Sequence, residues 1–142
     1  MTRVDFYLLE TTDETARLRV VCRLADKIFG LGQQLYIHTA DAEQTQRLDR
    51  LLWTFQDISF LPHQIADAAG GAASIRLGHD NAPVAGGDVL INLAPETPHF
   101  FSRFERVAEI VDEQPDVRTA GRARYRFYRD RGYPLQHHQL GS

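Results

Sequence analysis

Lysine is almost missing from this 142-residue chain: Lys27 stands alone, and arginine supplies the rest of the positive charge. Cysteine is as scarce. With Cys22 the sole thiol, no internal disulfide can form, and a reducing cytoplasm is the compartment that fits. Cys22 falls on the apolar side of a helical pattern, so it reads as core packing rather than as a nucleophile. There is no run of eighteen apolar residues and no charged-then-apolar leader, which predicts a soluble, cytoplasmic protein without membrane contact. Glycine-rich phosphate cradles are absent too, with neither GxGxxG nor GxxxxGK[ST] anywhere. Where such a turn would sit, after the first apolar run, Glu10 and Asp13 would repel a phosphate. No GxSxG elbow occurs, and no two of the six histidines have helical ligand spacing, so neither a hydrolase nucleophile nor a built metal site is expected.

What is present is an alternation of short apolar runs and helical patterns. Residues 4–9 (VDFYLL) form a bounded apolar run, the mark of a buried strand. Asp13 then opens a helical pattern through Leu18, Val21, Cys22, Ala25 and Ile28 that closes at Gly30. A second strand follows at 34–39 (QLYIHT). Asp41 with Gln44 three residues on has the form of a capping box, and a helix through Leu48, Leu51 and Leu52 runs to Trp53. Strand, helix, strand, helix at this spacing predicts parallel βαβ units. Residues 55–63 are aromatic and apolar without a clear period. A small-residue loop at 68–73, a weak strand at 74–77 placed at an edge, and a strong buried strand at 88–93 (DVLINL) come next. One or two helical turns are expected at 98–104. Residues 106–111 alternate as a last strand, the preferred reading, although Phe104, Val107, Ala108 and Val111 would also suit a continuing helix, and an acidic connector leads to a final helix. Ordinary hydrophobic (43%) and charged (25%) contents at this length predict one domain over 1–142, with about 134–142 a flexible tail.

The final helix carries the most information. Residues 117–132 (VRTAGRARYRFYRDRG) hold six arginines and one acid, a net +5 in a chain whose formal charge is −3. A basic island on an acidic body implies an anionic partner. At about 100° per residue, Arg118, Arg122, Arg126 and Arg129 share an arc of roughly 80° bordered by Tyr125. That row is roughly 16 Å long, the reach of five or six residues of extended peptide. Arginine forks bind carboxylates or phosphates in pairs. On this wheel Ala120, Ala123 and Phe127 form the packing side, while Arg124 and Arg131 lie near its margin and are expected in structural ion pairs. A solvated charged face is the alternative for the row. His38, near the end of the second strand, is a place where open α/β sheets host chemistry, but nothing in the sequence ties a carboxylate or nucleophile to it.

Four blocks together, VDFYLL, RLDRLLWTFQDISFLPH (47–63), DVLINL and RARYRFYRDRGY (122–133), resemble the chi subunit family of bacterial DNA polymerase III holoenzyme, with the likeness running through most of the chain. The resemblance implies a Rossmann-like α/β domain, a mostly parallel sheet flanked by helices, with no catalytic turn and no cofactor or metal. It implies two partners. One is the psi subunit, which tethers chi to the clamp loader; the other is the acidic C-terminal tail of single-stranded-DNA-binding protein, ending in a phenylalanine with a free carboxylate. DNA contact would be mainly indirect. Carried over by position, tail binding falls on Arg122, Tyr125 and Arg126 with Val111 beside the pocket; Arg118 and Arg129 are added from the helical arc. Arg126 stands where relatives often have lysine. The psi-facing surface is placed on Trp53, Phe60, Leu61 and Pro62, the composition of an interface anchor. The function expected is a non-catalytic accessory subunit; direct single-stranded nucleic-acid binding and a small-molecule enzyme using His38 are the alternatives.

Overall fold

The computed structural model describes residues 1–54, 62–65, 74–79, 83 and 86–140. In chain order its elements are β1 (Arg3–Leu9), α1 (Glu14–Gly30), β2 (Leu35–His38), α2 (Ala42–Thr54), β3 (His63–Ile65), β4 (Ile75–Gly78) and β5 (Gly87–Asn92). A single 3-10 turn (Phe101–Arg103) leads into β6 (Phe104–Val111), α3 (Pro115–Asp130) and β7 (Leu135–Leu140). Among the described residues seven strands form one sheet in the order β3-β4-β2-β5-β6-β1-β7, and every neighbouring pair is parallel. This is the Rossmann-like α/β architecture expected.

Strand alternation divides the core in two. Leu35, Ile37, Val89, Ile91, Ala108 and Ile110 point to one side, where Leu18, Val21, Cys22 and Ile28 of α1 and Leu48 and Leu52 of α2 cover them. Tyr36, Leu90, Val107 and Val111 point to the other, with Val4 and Phe6 of β1, under Tyr128 of α3 and under Phe100 and Phe101 at the 3-10 turn. Both faces being covered explains why the strands read as continuous apolar runs. Among the described residues no helix is long and apolar enough to cross a membrane.

Local chemistry starts and stops the helices. The Asp13 carboxylate caps α1 through the Thr15 amide at 3.0 Å. The Asp41 carboxylate accepts from the Gln44 amide at 2.8 Å, and the Gln44 side chain reaches back to the Ala40 amide at 2.7 Å. The box therefore closes one residue earlier than its usual form. At the end of α3, Gly132 takes a φ of +79°, so that the Tyr133 amide can bond the Tyr128 carbonyl at 3.1 Å and the chain turns toward β7.

Four expectations change. Residues 135–140, read as part of a loose tail, form β7, which pairs with β1 from Val4↔Leu135 to Leu9↔Leu140. Its sequence, LQHHQL, lacks the apolar run that marks a strand; the β1 ladder and side-chain anchors supply what local propensity does not. His138 provides one such anchor, with Nε2 at 3.1 Å from an Asp5 carboxylate oxygen and its ring stacked on Tyr7 at 4.6 Å. Strand β4 is not an edge: β3 lies outside it, three residues (HQI) too short to show a period. The last helix begins at Pro115 rather than at 117, because proline suits a first helical turn. Finally, α3 turns Gly121, Arg124 and Tyr128 inward, while Ala123 is exposed and Ala120 and Phe127 are half-buried. Hydropathy places alanine inside and arginine outside; here one arginine has a buried acid beneath it.

Candidate functional site

That acid is Glu109 of β6, fully buried. Its carboxyl accepts from Arg124 Nε at 2.9 Å, from the Tyr128 hydroxyl at 2.7 Å and from Asn92 Nδ2 at 3.1 Å. Arg124 Nη1 also donates to the Pro95 carbonyl at 2.8 Å. Burial first, then the neighbouring Glu109 carboxyl, pushes the Tyr128 hydroxyl far above its ordinary range, so it stays a donor. Such a group of charge-assisted bonds beneath one helix fixes the rotation of α3 about its axis. Gly121 completes the seating: a Cβ there would stand 3.0 Å from Val111 Cγ2, so the missing side chain lets α3 lie close over β6.

With that rotation set, Arg118, Arg122, Arg126 and Arg129 project outward, all exposed. Among the described residues Arg118, Arg122 and Arg126 enter no ion pair, and Arg129 meets only its neighbour Asp130, at 3.2 Å. Of the two arginines expected in structural pairs, Arg124 makes one and Arg131, among the described residues, does not. Arg131 instead lies over the Phe127 ring, 3.7 Å from its centroid.

A cleft of about 340 Å³ opens between α3 and the carboxyl ends of the strands, within the size range of small-ligand sites. Phe6 and Leu8 of β1 and Val111 of β6 form its apolar wall; Arg118, Arg122 and Tyr125 come from α3, and His137 and Gln139 from β7. Tyr125 meets the Phe6 ring edge-on at 5.5 Å and the His137 ring at 5.1 Å. Asp112 and Glu113 stand at one end. The turn there is held by the Asp112 carboxylate, which accepts from both the Gln114 amide (3.0 Å) and its side chain (2.7 Å). Four of the six residues read as tail-binding thus line one cavity: Val111, Arg118, Arg122 and Tyr125. Arg126 and Arg129 continue the basic row outside it. Sequence reasoning missed Phe6, Leu8, His137 and Gln139, since their convergence depends on sheet order.

The other predicted surface lies toward the opposite edge of the sheet. Trp53, in the last turn of α2, is 42% exposed and tilts over the His63 ring at 4.4 Å. His63 Nε2 in turn lies 3.1 Å from an Asp49 carboxylate oxygen. Pro62 is exposed, whereas Phe60 and Leu61 fall outside the described residues. His38 meets Phe100 edge-on at 5.2 Å and lines a separate cavity of about 400 Å³ with His79 and His99. Among the described residues no three histidine, cysteine or acidic side chains are grouped to hold a metal. Cys22 is fully buried, and burial pushes its thiol up to about 12.

Fold and cleft together define a Rossmann-like α/β protein with an aromatic-walled, arginine-flanked cleft beside one helix. Comparison with known proteins makes this specific. The chain belongs to the family described as DNA polymerase III chi subunit, HolC, whose profile matches residues 1–136. It is 48% identical over 140 residues to the DNA polymerase III subunit chi of Pseudomonas aeruginosa, covering 99% of this chain and 98% of that one. The Escherichia coli subunit chi is 29% identical over 141 residues, covering 95% of this chain and 96% of its own length. That of Haemophilus influenzae is 28% identical over 141 residues, covering 96% of each. Membership makes the chain an accessory subunit of a replicative polymerase holoenzyme.

Proposed function

We propose that this subunit is a non-catalytic adaptor that holds the acidic C-terminal tail of single-stranded-DNA-binding protein at one edge and the psi subunit of the clamp loader at the other. The observation that carries the reading is the cleft under α3. An apolar niche formed by Phe6, Leu8 and Val111 adjoins Arg118 and Arg122, so one site offers a seat for a terminal ring and donors for its carboxylate. Arg126 and Arg129, further along the same helix, extend the positive row toward upstream acids of the tail. Trp53 and Pro62, exposed near the β3 edge, supply an aromatic anchor for psi. Five strand spacings separate β3 from β1, roughly 24 Å, so the two partners need not compete.

A labelled tail peptide titrated against the protein tests the first contact, and copurification with psi the second. Bare single-stranded oligonucleotide forms the comparison arm. Saturable peptide binding with weak oligonucleotide binding supports the adaptor; the reverse order would favour direct nucleic-acid binding through the same arginines. Either peptide or oligonucleotide binding should weaken with salt, because the row is exposed.

A further inference from the structure

The strand β7 brings to the cleft a residue that the tail reading does not include. His137 is exposed, lines the cavity, and places its ring 5.1 Å from Tyr125 and 6.3 Å from Phe6. Charges around it nearly cancel. Arg118 and Arg122 face the cavity from α3, Asp112 and Glu113 from the end of β6, and the β1 contributions are apolar. On its own strand, Gln139 is neutral and bonds Glu10 at 3.4 Å. His138 bonds Asp5 and stacks on Tyr7, which faces the α1 side of the sheet, away from this cleft. Two guanidinium groups against two carboxylates leave the lining without net charge, so the protonation state of one imidazole decides its sign. Histidine is the side chain whose ordinary titration falls between pH 5 and 8.

Resting on the tail-binding reading above, we infer that His137 is a further ligand-contact residue, one that closes the cleft against Tyr125 and, as imidazolium, adds a donor for the tail's carboxylates. Protonation then tightens binding, and a bound anionic tail in turn favours the protonated ring. Substitution at this exposed position leaves the β1 ladder, which is backbone, in place.

The experiment uses the whole chain and a labelled acidic peptide ending in phenylalanine with a free carboxylate. Wild type, His137→Phe and His137→Lys are each titrated at about pH 8 and about pH 5.5. Phenylalanine keeps a ring against Tyr125 but cannot take a proton; lysine stays charged at both pH values. Wild-type affinity is expected to rise about threefold at the lower pH, the scale of one exposed charge pair. His137→Phe is expected to show a smaller rise than wild type, and His137→Lys, charged at both pH values but without the ring, to lose the part of the rise that His137 supplies. A His137→Phe slope equal to that of wild type overturns the inference, since any contribution from His138 is common to both proteins. No peptide binding by wild type at either pH removes the tail reading itself, and this inference with it.

Discussion

Replacing Arg122 by alanine separates a cleft contact from a merely charged helix face. Arg122 is exposed, lines the cavity beside Tyr125 and has no intramolecular ion pair among the described residues, so a bound carboxylate need not displace one of the protein's own acids. A hydrogen bond to a charged group contributes about 1.5–3 kcal/mol, whereas a freely exposed pair contributes about 0.2–1 kcal/mol. Arg122 is exposed yet lines the cavity, so its contribution should fall where these two ranges meet, a loss of about 1.5 kcal/mol, roughly tenfold in Kd. Arg126 projects from the same face but does not line the cavity, and Arg126→Ala should cost less than about 1 kcal/mol. Fluorescence anisotropy with the tail peptide measures both at one fixed salt concentration, and repeating the wild type with a C-terminally amidated peptide tests whether the terminal carboxylate is the partner. In the amidated series the Arg122→Ala penalty should shrink. Refutation would be Arg122→Ala binding as tightly as wild type, or Arg126→Ala costing more.

Arg124→Ala should destabilise the fold by about 3–5 kcal/mol, because it strands the buried Glu109 carboxyl; urea denaturation measures it, and a loss no larger than that of Arg122→Ala would contradict the anchoring role. Asp5 is buried, which pushes its pKa up, but bonds from His138 and Arg106 and the charge of Arg3 outweigh burial and hold it below the ordinary 3.8. A carboxylate depressed in the folded state adds stability that is present above its unfolded pKa and is lost as pH falls through the folded value. Asp5→Asn should therefore lower stability at neutral pH and flatten the decline below the ordinary 3.8, as read from denaturation midpoints across pH. Trp53→Ala should abolish psi copurification while shifting Tm by only a few degrees, given that Trp53 is 42% exposed; retained copurification would move the psi surface elsewhere.

Periodicity and local punctuation were enough to place β1, α1, β2, α2, β5 and β6, to expect parallel pairing, and to find the outward arginine row on α3. Those features are written in neighbouring residues: apolar runs, a capping aspartate, arginines three and four apart. The sequence blocks also carried the family likeness. Only tertiary structure decided which arginine turns inward, because Arg124 is held by Glu109, fifteen residues earlier on a different element. It alone made residues 135–140 a strand, since their pairing lies with β1 at the far end of the chain. The cleft was decided the same way: Phe6, Val111, Arg122 and His137 meet because β1 lies between β6 and β7, and strand order is set by long-range packing that no local window of sequence contains.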